Sequence, residues 1–240
     1  MNEEKNKKKK KKMKSLEDRL FDAKRAAHNA FSGKEISRLL ETYGYDENRL
    51  KQGISLCETA EKCLLDQRIK KGELGSIIYA FDIAREKADK TYLPYMKIAR
   101  VALQGDNPTL QKLNLKGDRK RAYSQWLTQV SQFYKGALKE PGILERLKHF
   151  GITKEKLEAG MALVQEAESA NVRKELKKGE VQAAIEKRDR AFQEMNKYVS
   201  DLIKIARIAT VDKPERLEAL GVVYPSKPKK SPKKSKSAGT

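Results

Sequence analysis

IARVALQGDNPTLQKLNL, residues Ile98–Leu115, recurs in altered form as IARIATVDKPERLEALGV, residues Ile205–Val222. The two stretches lie 205 − 98 = 107 positions apart. Each one ends a helical pattern, breaks at a proline and closes with leucines spaced as in one more short helix. The repetition predicts that two long helices of this chain end in the same way.

The offset of 107 positions also relates the residues that precede this stretch. The matched positions include Gly44 and Gly151, Gly53 and Gly160, and the Lys-Gly-Glu tripeptides at 71–73 and 178–180. Chance similarity between lysine-rich helices does not keep glycines and apolar positions in one register. We therefore predict one internal duplication, with repeats at 15–117 and 118–224, and not an array of many short units.

The apolar residues of both repeats form stripes at spacings of three and four, which is typical of helices packed in antiparallel bundles. With 38% apolar and only 7% aromatic residues, the composition favours an all-α body. We predict an internally duplicated antiparallel helical bundle in which two repeats of about 100 residues pack around a pseudo-two-fold axis. Two bundles joined near residue 117 are the alternative, which the short polar junction at 116–121 disfavours.

Glycine and proline suggest where the long helices change. Gly72 and the equivalent tripeptide at 178–180 are expected to interrupt the helices, so that each repeat holds two long helices and shorter ones. Pro94 should bend the first copy. Asn114 stands where the second copy has Gly221, which should weaken the helix stop there.

Both ends of the chain are rich in lysine. Residues 1–14 contain eight lysines and two glutamates, and residues 225–240 contain six lysines and no acidic residue. Because like charges repel and bury nothing, both segments are expected to be disordered basic arms. The lysines predicted to contact a polyanion are Lys7, Lys8, Lys9, Lys10, Lys11, Lys12, Lys227, Lys229, Lys230, Lys233, Lys234 and Lys236.

The C-terminal arm resembles the SPKK-type repeats of linker-histone tails, through Ser231-Pro232-Lys233-Lys234 and the Lys-Pro-Lys-Lys before it. This resemblance implies contact along the DNA backbone, with a preference for the minor groove of A·T-rich duplexes. Closely spaced lysines also release counterions from any polyanion, independently of sequence. We predict non-specific electrostatic binding of DNA or RNA, in an architectural or coating role. Acidic proteins and anionic surfaces remain open as partners of the arms.

No pattern in the sequence predicts catalysis. The two histidines, His28 and His149, do not follow a glutamate by three positions, as a di-iron bundle requires. Glycine-rich phosphate loops, Cys-x-x-Cys pairs and GxSxG elbows are also missing from the sequence. We therefore expect a protein that is not an enzyme and binds no cofactor or metal.

The sequence predicts a location inside the cell. It holds no run of about 18 apolar residues, so no transmembrane segment is expected. The basic start is not followed by the apolar region of a signal peptide. Cys57 and Cys63 fit a reducing compartment. These features predict a cytoplasmic protein, associated with the nucleoid if DNA is the partner.

Within the body, Lys97 with Arg100 and Lys204 with Arg207 form a candidate anion site. Each pair lies on one helical face, and arginine binds phosphate in a forked geometry. The alternative is structural, because cations near a helix C-terminus favour the macrodipole and pair with neighbouring helices. The aromatic face Tyr123, Trp126, Phe133 and Tyr134 could stack on bases, but its regular spacing favours a place in the core.

The repeated ending, Ile-Ala-Arg followed by a proline and a Leu-Glu-x-Leu-Gly motif, resembles an uncharacterised bacterial all-helical family in which this signature is duplicated. The resemblance spans residues 15–223. It implies the duplication and a bacterial cytoplasm, and it brings no activity. The hypothesis at this point is a non-enzymatic nucleic-acid-binding bundle; the alternative is a scaffold or protein-interaction module that uses the bundle surface.

Overall fold

The computed structural model describes residues 14–222. The twelve arm lysines predicted to contact a polyanion lie outside these residues. Within the described part the fold is all-α and contains no strand, which confirms the all-α part of the predicted fold class. The helices are α1 (Leu16–Ser32), α2 (Lys34–Glu41), α3 (Glu47–Ala102), α4 (Asn107–Lys112), α5 (Tyr123–Lys139), α6 (Pro141–Lys148), α7 (Lys154–Ala209) and a terminal 3₁₀ helix (Pro214–Leu220).

The helix bounds follow the offset found in the sequence. Helix α1 begins at Leu16 and α5 at Tyr123, and 123 − 16 = 107. The starts and ends of α2 and α6, and of α3 and α7, differ by the same number. The short α4 and the 3₁₀ helix begin at Asn107 and Pro214, again 107 positions apart.

The two long helices run without a break. Helices α3 and α7 each span 56 residues. The predicted interruptions at Gly72 and at 178–180 are therefore wrong, and so is the expectation of two long helices in each repeat. A single glycine inside a helix costs only about 1 kcal/mol relative to alanine. Contacts offset that cost here, since Lys177 pairs with Glu73 at 2.5 Å and with Glu180 at 2.8 Å.

The chain divides into two compact units. Among the described residues, unit 1 consists of 14–65 and 186–222, and unit 2 of 66–185. The described part of unit 1 holds α1, α2, the first third of α3, the end of α7 and the 3₁₀ helix. Unit 2 holds the rest of α3, α4, α5, α6 and the first part of α7.

Unit 1 has two clusters of buried apolar side chains. The first joins α1 and α3 to α7 through residues such as Leu20, Cys57 and Met195. The second surrounds Tyr45 and Leu202. Tyr198 links helices of the unit, since its hydroxyl donates to the carbonyl oxygen of Arg49 at 2.7 Å.

Unit 2 is organised around aromatic residues of α5. Trp126, Phe133 and Tyr134 are fully buried, and Tyr92 of α3 packs against both Phe133 and Tyr134. The indole nitrogen of Trp126 donates to Asp89 Oδ1 at 2.9 Å. The aromatic face is thus part of the core, as its spacing favours, and these buried rings are not available to stack on bases.

Left-handed backbone conformations end the helices at corresponding places. Gly44 and Gly151 have φ values of 79° and 76° after α2 and α6. Gly221 has φ 77° after the 3₁₀ helix, and Asn114 has φ 55° after α4. The helix stop is thus present at Asn114 as well, and asparagine tolerates this conformation better than most residues other than glycine.

Cys57 and Cys63 are free thiols in the core of unit 1. Burial raises the pKa of Cys57 to about 11, so its thiol stays protonated at neutral pH. Across residues 14–222, the structure contains no helix with the length and apolarity needed to cross a bilayer.

Replacement of Gly72 or Gly179 by alanine is predicted to stabilise the protein by about 1 kcal/mol each. A Cβ atom at either position meets no atom within 4 Å, so only the helix propensity changes. Urea unfolding followed by circular dichroism measures the effect.

Gly53→Ala and Gly160→Ala are the matched controls, because a Cβ there would overlap the rings of Tyr198 and Tyr134. These two variants should lose stability. If Gly72→Ala and Gly179→Ala were also destabilised, the unbroken course of α3 and α7 would be contradicted.

Candidate functional site: a basic cavity in unit 1

A cavity of about 270 Å³ opens in unit 1 between α1, the last turns of α7 and the residues that follow the 3₁₀ helix. We call it the basic cavity. Its polar lining consists of Lys14, Arg19, Asp22, Arg25 and Asn196. Its remaining lining consists of Ala23, Ala26, Val199, Ile203, Leu220, Gly221 and Val222.

The spacing of residues on α1 builds one wall of the basic cavity. The wall residues of α1 follow one another at intervals of three, one and three positions, so they lie on one face of the helix. They are Arg19, Asp22, Ala23 and Ala26. The helix begins just before them, where Ser15 Oγ accepts a hydrogen bond from the Asp18 backbone nitrogen at 3.1 Å. This cap fixes the start of α1 next to the cavity.

The 3₁₀ helix and the residues after it form the opposite wall. Asn29 Nδ2 donates to the carbonyl oxygen of Ala219 at 2.5 Å, and Arg25 donates to that of Gly221 at 3.3 Å. Two features favour glycine at position 221. Gly221 adopts a left-handed conformation, and a Cβ atom there would overlap the Arg25 guanidinium. These contacts hold the end of the described chain against α1.

Positive charge predominates around the basic cavity. Three cations line it, against the single carboxylate of Asp22. Asp22 is shared, since Lys14 Nζ lies 2.5 Å and Arg25 3.0 Å from its oxygens. Arg19 has no carboxylate partner among residues 14–222; its guanidinium lies 5.8 Å from the ring centre of Phe192. The cavity therefore carries an excess of two positive charges.

The basic cavity is also where both arms join the described chain. Lys14 is the first described residue and Val222 is the last, and both line the cavity. All twelve predicted arm lysines thus belong to segments that start at this one place. The sequence alone gives no indication that Lys14 and Val222 line one cavity.

Three of the five polar positions of the cavity have neutral counterparts in unit 2, whereas Arg121 and Asp89 stand at the positions of Lys14 and Asn196. At the offset of 107, Trp126, Gln129 and Gln132 replace Arg19, Asp22 and Arg25. Trp126 and Gln129 are fully buried. Gln129 donates to the carbonyl oxygen of Asn114 at 3.0 Å, and Gln132 to that of Lys112 at 2.7 Å.

The basic cavity could have been found in the sequence from these differences between the two halves. Matched apolar positions and glycines indicate shared architecture, whereas Arg19, Asp22 and Arg25 are places where the two halves differ in charge. The predicted site in the body consists of matched positions, and Arg19, Asp22 and Arg25 were not among the predicted residues.

The structure does not bring the candidate anion site of the sequence into a single unit. Lys97 and Arg100 lie in unit 2, and Lys204 and Arg207 lie in unit 1. Arg100 is half-buried, and it donates to the carbonyl oxygens of Leu115 at 2.9 Å and Gly117 at 2.6 Å. Lys97, Lys204 and Arg207 are exposed, and Lys204 pairs with Asp201 at 3.1 Å. Arg100 thus holds the chain after α4 in place.

In the part of the chain that the structure describes, no three histidine, cysteine, aspartate or glutamate residues are grouped so that they could hold a metal ion. Comparisons with protein-family models, with curated proteins and with solved structures gave no match. The function is therefore argued from the residues of this chain.

Arg100→Gln is predicted to lower the free energy of unfolding by about 1–3 kcal/mol, because the carbonyl oxygens of Leu115 and Gly117 lose their donor. Chemical denaturation measures the loss. Arg207→Gln at the corresponding position should change stability by less than about 0.5 kcal/mol, since Arg207 is exposed. Equal effects of the two substitutions would contradict the structural role of Arg100.

Proposed function

We propose that this protein binds nucleic acid without sequence specificity, through lysine-rich arms at both ends of the chain. The observation that carries the proposal is that Lys14, the last residue of the N-terminal arm, and Val222, shortly before the C-terminal arm, line one basic cavity. A polyanion held by one arm is then close to the start of the other arm and to Arg19 and Arg25. The role that fits is architectural or coating, in the cytoplasm and on the nucleoid if the partner is DNA.

The physical basis is counterion release. Each phosphate neutralised by a lysine contributes about −0.9 to the slope of log K against log salt on duplex DNA. Six lysines in each arm would give a slope near −5 per arm if all of them contact phosphates. Two weak binding sites tethered to one place on the protein give a higher overall affinity, because the second site binds at a high effective concentration.

We further infer that the chain arose by duplication of one helical unit, with two antiparallel copies forming a pseudo-two-fold bundle. The common offset of 107 between helix bounds supports this inference. The similar left-handed conformations of Asn114 and Gly221 support it as well. On this reading the basic cavity is a feature in which one half of the protein has diverged from the other.

A scaffold or protein-interaction role is the second candidate, and exposed apolar residues of unit 2 favour it. On α3, Ile69, Tyr79 and Ile83 are 52%, 70% and 48% exposed. On α7, Val172 and Leu176 are 53% and 67% exposed. Apolar side chains spaced along a helix face are suited to binding another helix. In this reading the arms contact acidic partners or anionic surfaces.

Replacing the twelve arm lysines by glutamine tests the proposed function. We call this full-length protein the tail-neutral variant. It is predicted to lose at least about a hundredfold in affinity for duplex DNA and for RNA at roughly 50 mM salt, because most phosphate contacts are removed. Fluorescence anisotropy across a salt series should show the slope falling together with the affinity.

The control carries Lys→Gln at exposed lysines of unit 2, Lys90, Lys135 and Lys154, and should keep most of the affinity. Unchanged binding by the tail-neutral variant would move the interface into the body and contradict the arm assignment. If the unmodified protein binds neither DNA nor RNA at low salt, the scaffold role replaces the proposed function.

A further inference from the structure

We propose that the basic cavity binds a phosphomonoester attached to a nucleoside, either the 5′-phosphate end of a nucleic-acid strand or a free mononucleotide. This inference deepens the proposed function, on which its ligand class rests. The arms would supply non-specific contacts to the backbone, and the cavity would receive one defined group. The residues that would hold the phosphate are Arg19, Arg25 and Lys14.

The charge of the basic cavity matches a phosphomonoester. Three cations and one carboxylate give an excess of two positive charges, and a phosphomonoester approaches two negative charges at neutral pH. A phosphodiester carries one negative charge and a carboxylate one, so both match the cavity less well. Arg19 has no carboxylate partner among the described residues and is free to donate to a phosphate.

The negative charge of Asp22 opposes the binding of a phosphate. Its carboxylate pairs with Lys14 and Arg25, and it would repel an incoming phosphate. Binding therefore requires both cations to turn part of their hydrogen bonding towards the ligand. This competition predicts that removal of the Asp22 charge increases the affinity for phosphate.

The size and the apolar lining of the basic cavity suit the nucleoside. The volume of about 270 Å³ lies just below that of typical small-molecule sites. The apolar part of the lining against which a sugar or base can pack consists of Val199, Ile203 and Leu220. The cavity is thus suited to one nucleotide and too small for several.

The corresponding positions of unit 2 show that neutral side chains are compatible with this fold. Gln132 stands at the position of Arg25 and donates to a backbone carbonyl oxygen, as Arg25 does. Gln129 stands at the position of Asp22. Arg25→Gln and Asp22→Asn are therefore mild substitutions that change the charge of the cavity while a polar group is kept.

The test uses the tail-neutral variant, so that arm contacts do not mask the cavity. Isothermal titration calorimetry compares a 5′-phosphorylated trinucleotide, the same trinucleotide with a 5′-hydroxyl, and adenosine 5′-monophosphate. The phosphorylated trinucleotide is predicted to bind at least about tenfold more tightly than the hydroxyl form, as expected for charge-assisted hydrogen bonds. If the mononucleotide binds as tightly as the phosphorylated trinucleotide, the ligand is a free nucleotide; weaker binding assigns the strand end.

Single substitutions in the same background locate the site. Arg19→Gln and Arg25→Gln should each lower the affinity for the phosphorylated ligand by about tenfold. Asp22→Asn should raise it several-fold, which a merely structural role of Asp22 would not do. Arg38→Gln is the control, because Arg38 is an exposed arginine of unit 1 outside the cavity.

Two results would overturn the inference: no preference for the 5′-phosphate, or unchanged affinity in both arginine variants. Its failure is distinguishable from that of the proposed function. If the unmodified protein does not bind long duplex or RNA while the phosphorylated ligand still binds the cavity, the arm proposal fails and the cavity proposal stands.

Discussion

The structure depends on the unbroken course of α3 and α7, because each of these helices supplies side chains to both units. In unit 1 the end of α7 contributes Phe192, Met195 and Leu202 to cores shared with α1 and α3. In unit 2 the later part of α3 contributes Tyr92 and Met96 to the core around α5. Neither unit has a complete core without residues from both halves of the sequence.

Much of the fold could be predicted from the sequence, and the remainder has a physical reason. Spacing and capping residues indicated the short helices, and the spacing on α5 favoured a buried place for Trp126. The continuity of the long helices was missed because a lone Gly72 or Gly179 costs only about 1 kcal/mol, which is too little to end a long helix. The division into units was missed as well. An apolar stripe with a period of 3.6 residues shows which face of a helix is buried. It does not show against which other helix that face packs.

The candidate site shows the same limit. The lysine-rich arms are evident from composition. That residues next to both arms line one cavity depends on the fold, which brings Lys14 and Val222 together. Arg100 and Arg207 occupy matching positions, yet Arg100 is committed to backbone carbonyl oxygens and Arg207 is exposed. Differences between the halves, such as Arg19 against Trp126, set the basic cavity apart from the corresponding part of unit 2.

The central proposal is that nucleic acid held by the lysine-rich arms lies at the basic cavity of unit 1. The most direct measurement is a transverse-relaxation-optimised NMR titration of the 27.3 kDa protein with a short 5′-phosphorylated duplex. We expect the largest shifts among residues 14–222 at Ala23, Ala26 and Gly221, and an unchanged indole signal of Trp126, the residue that replaces Arg19 in unit 2. Shifts confined to unit 2, or none at the cavity on saturation, would contradict the account.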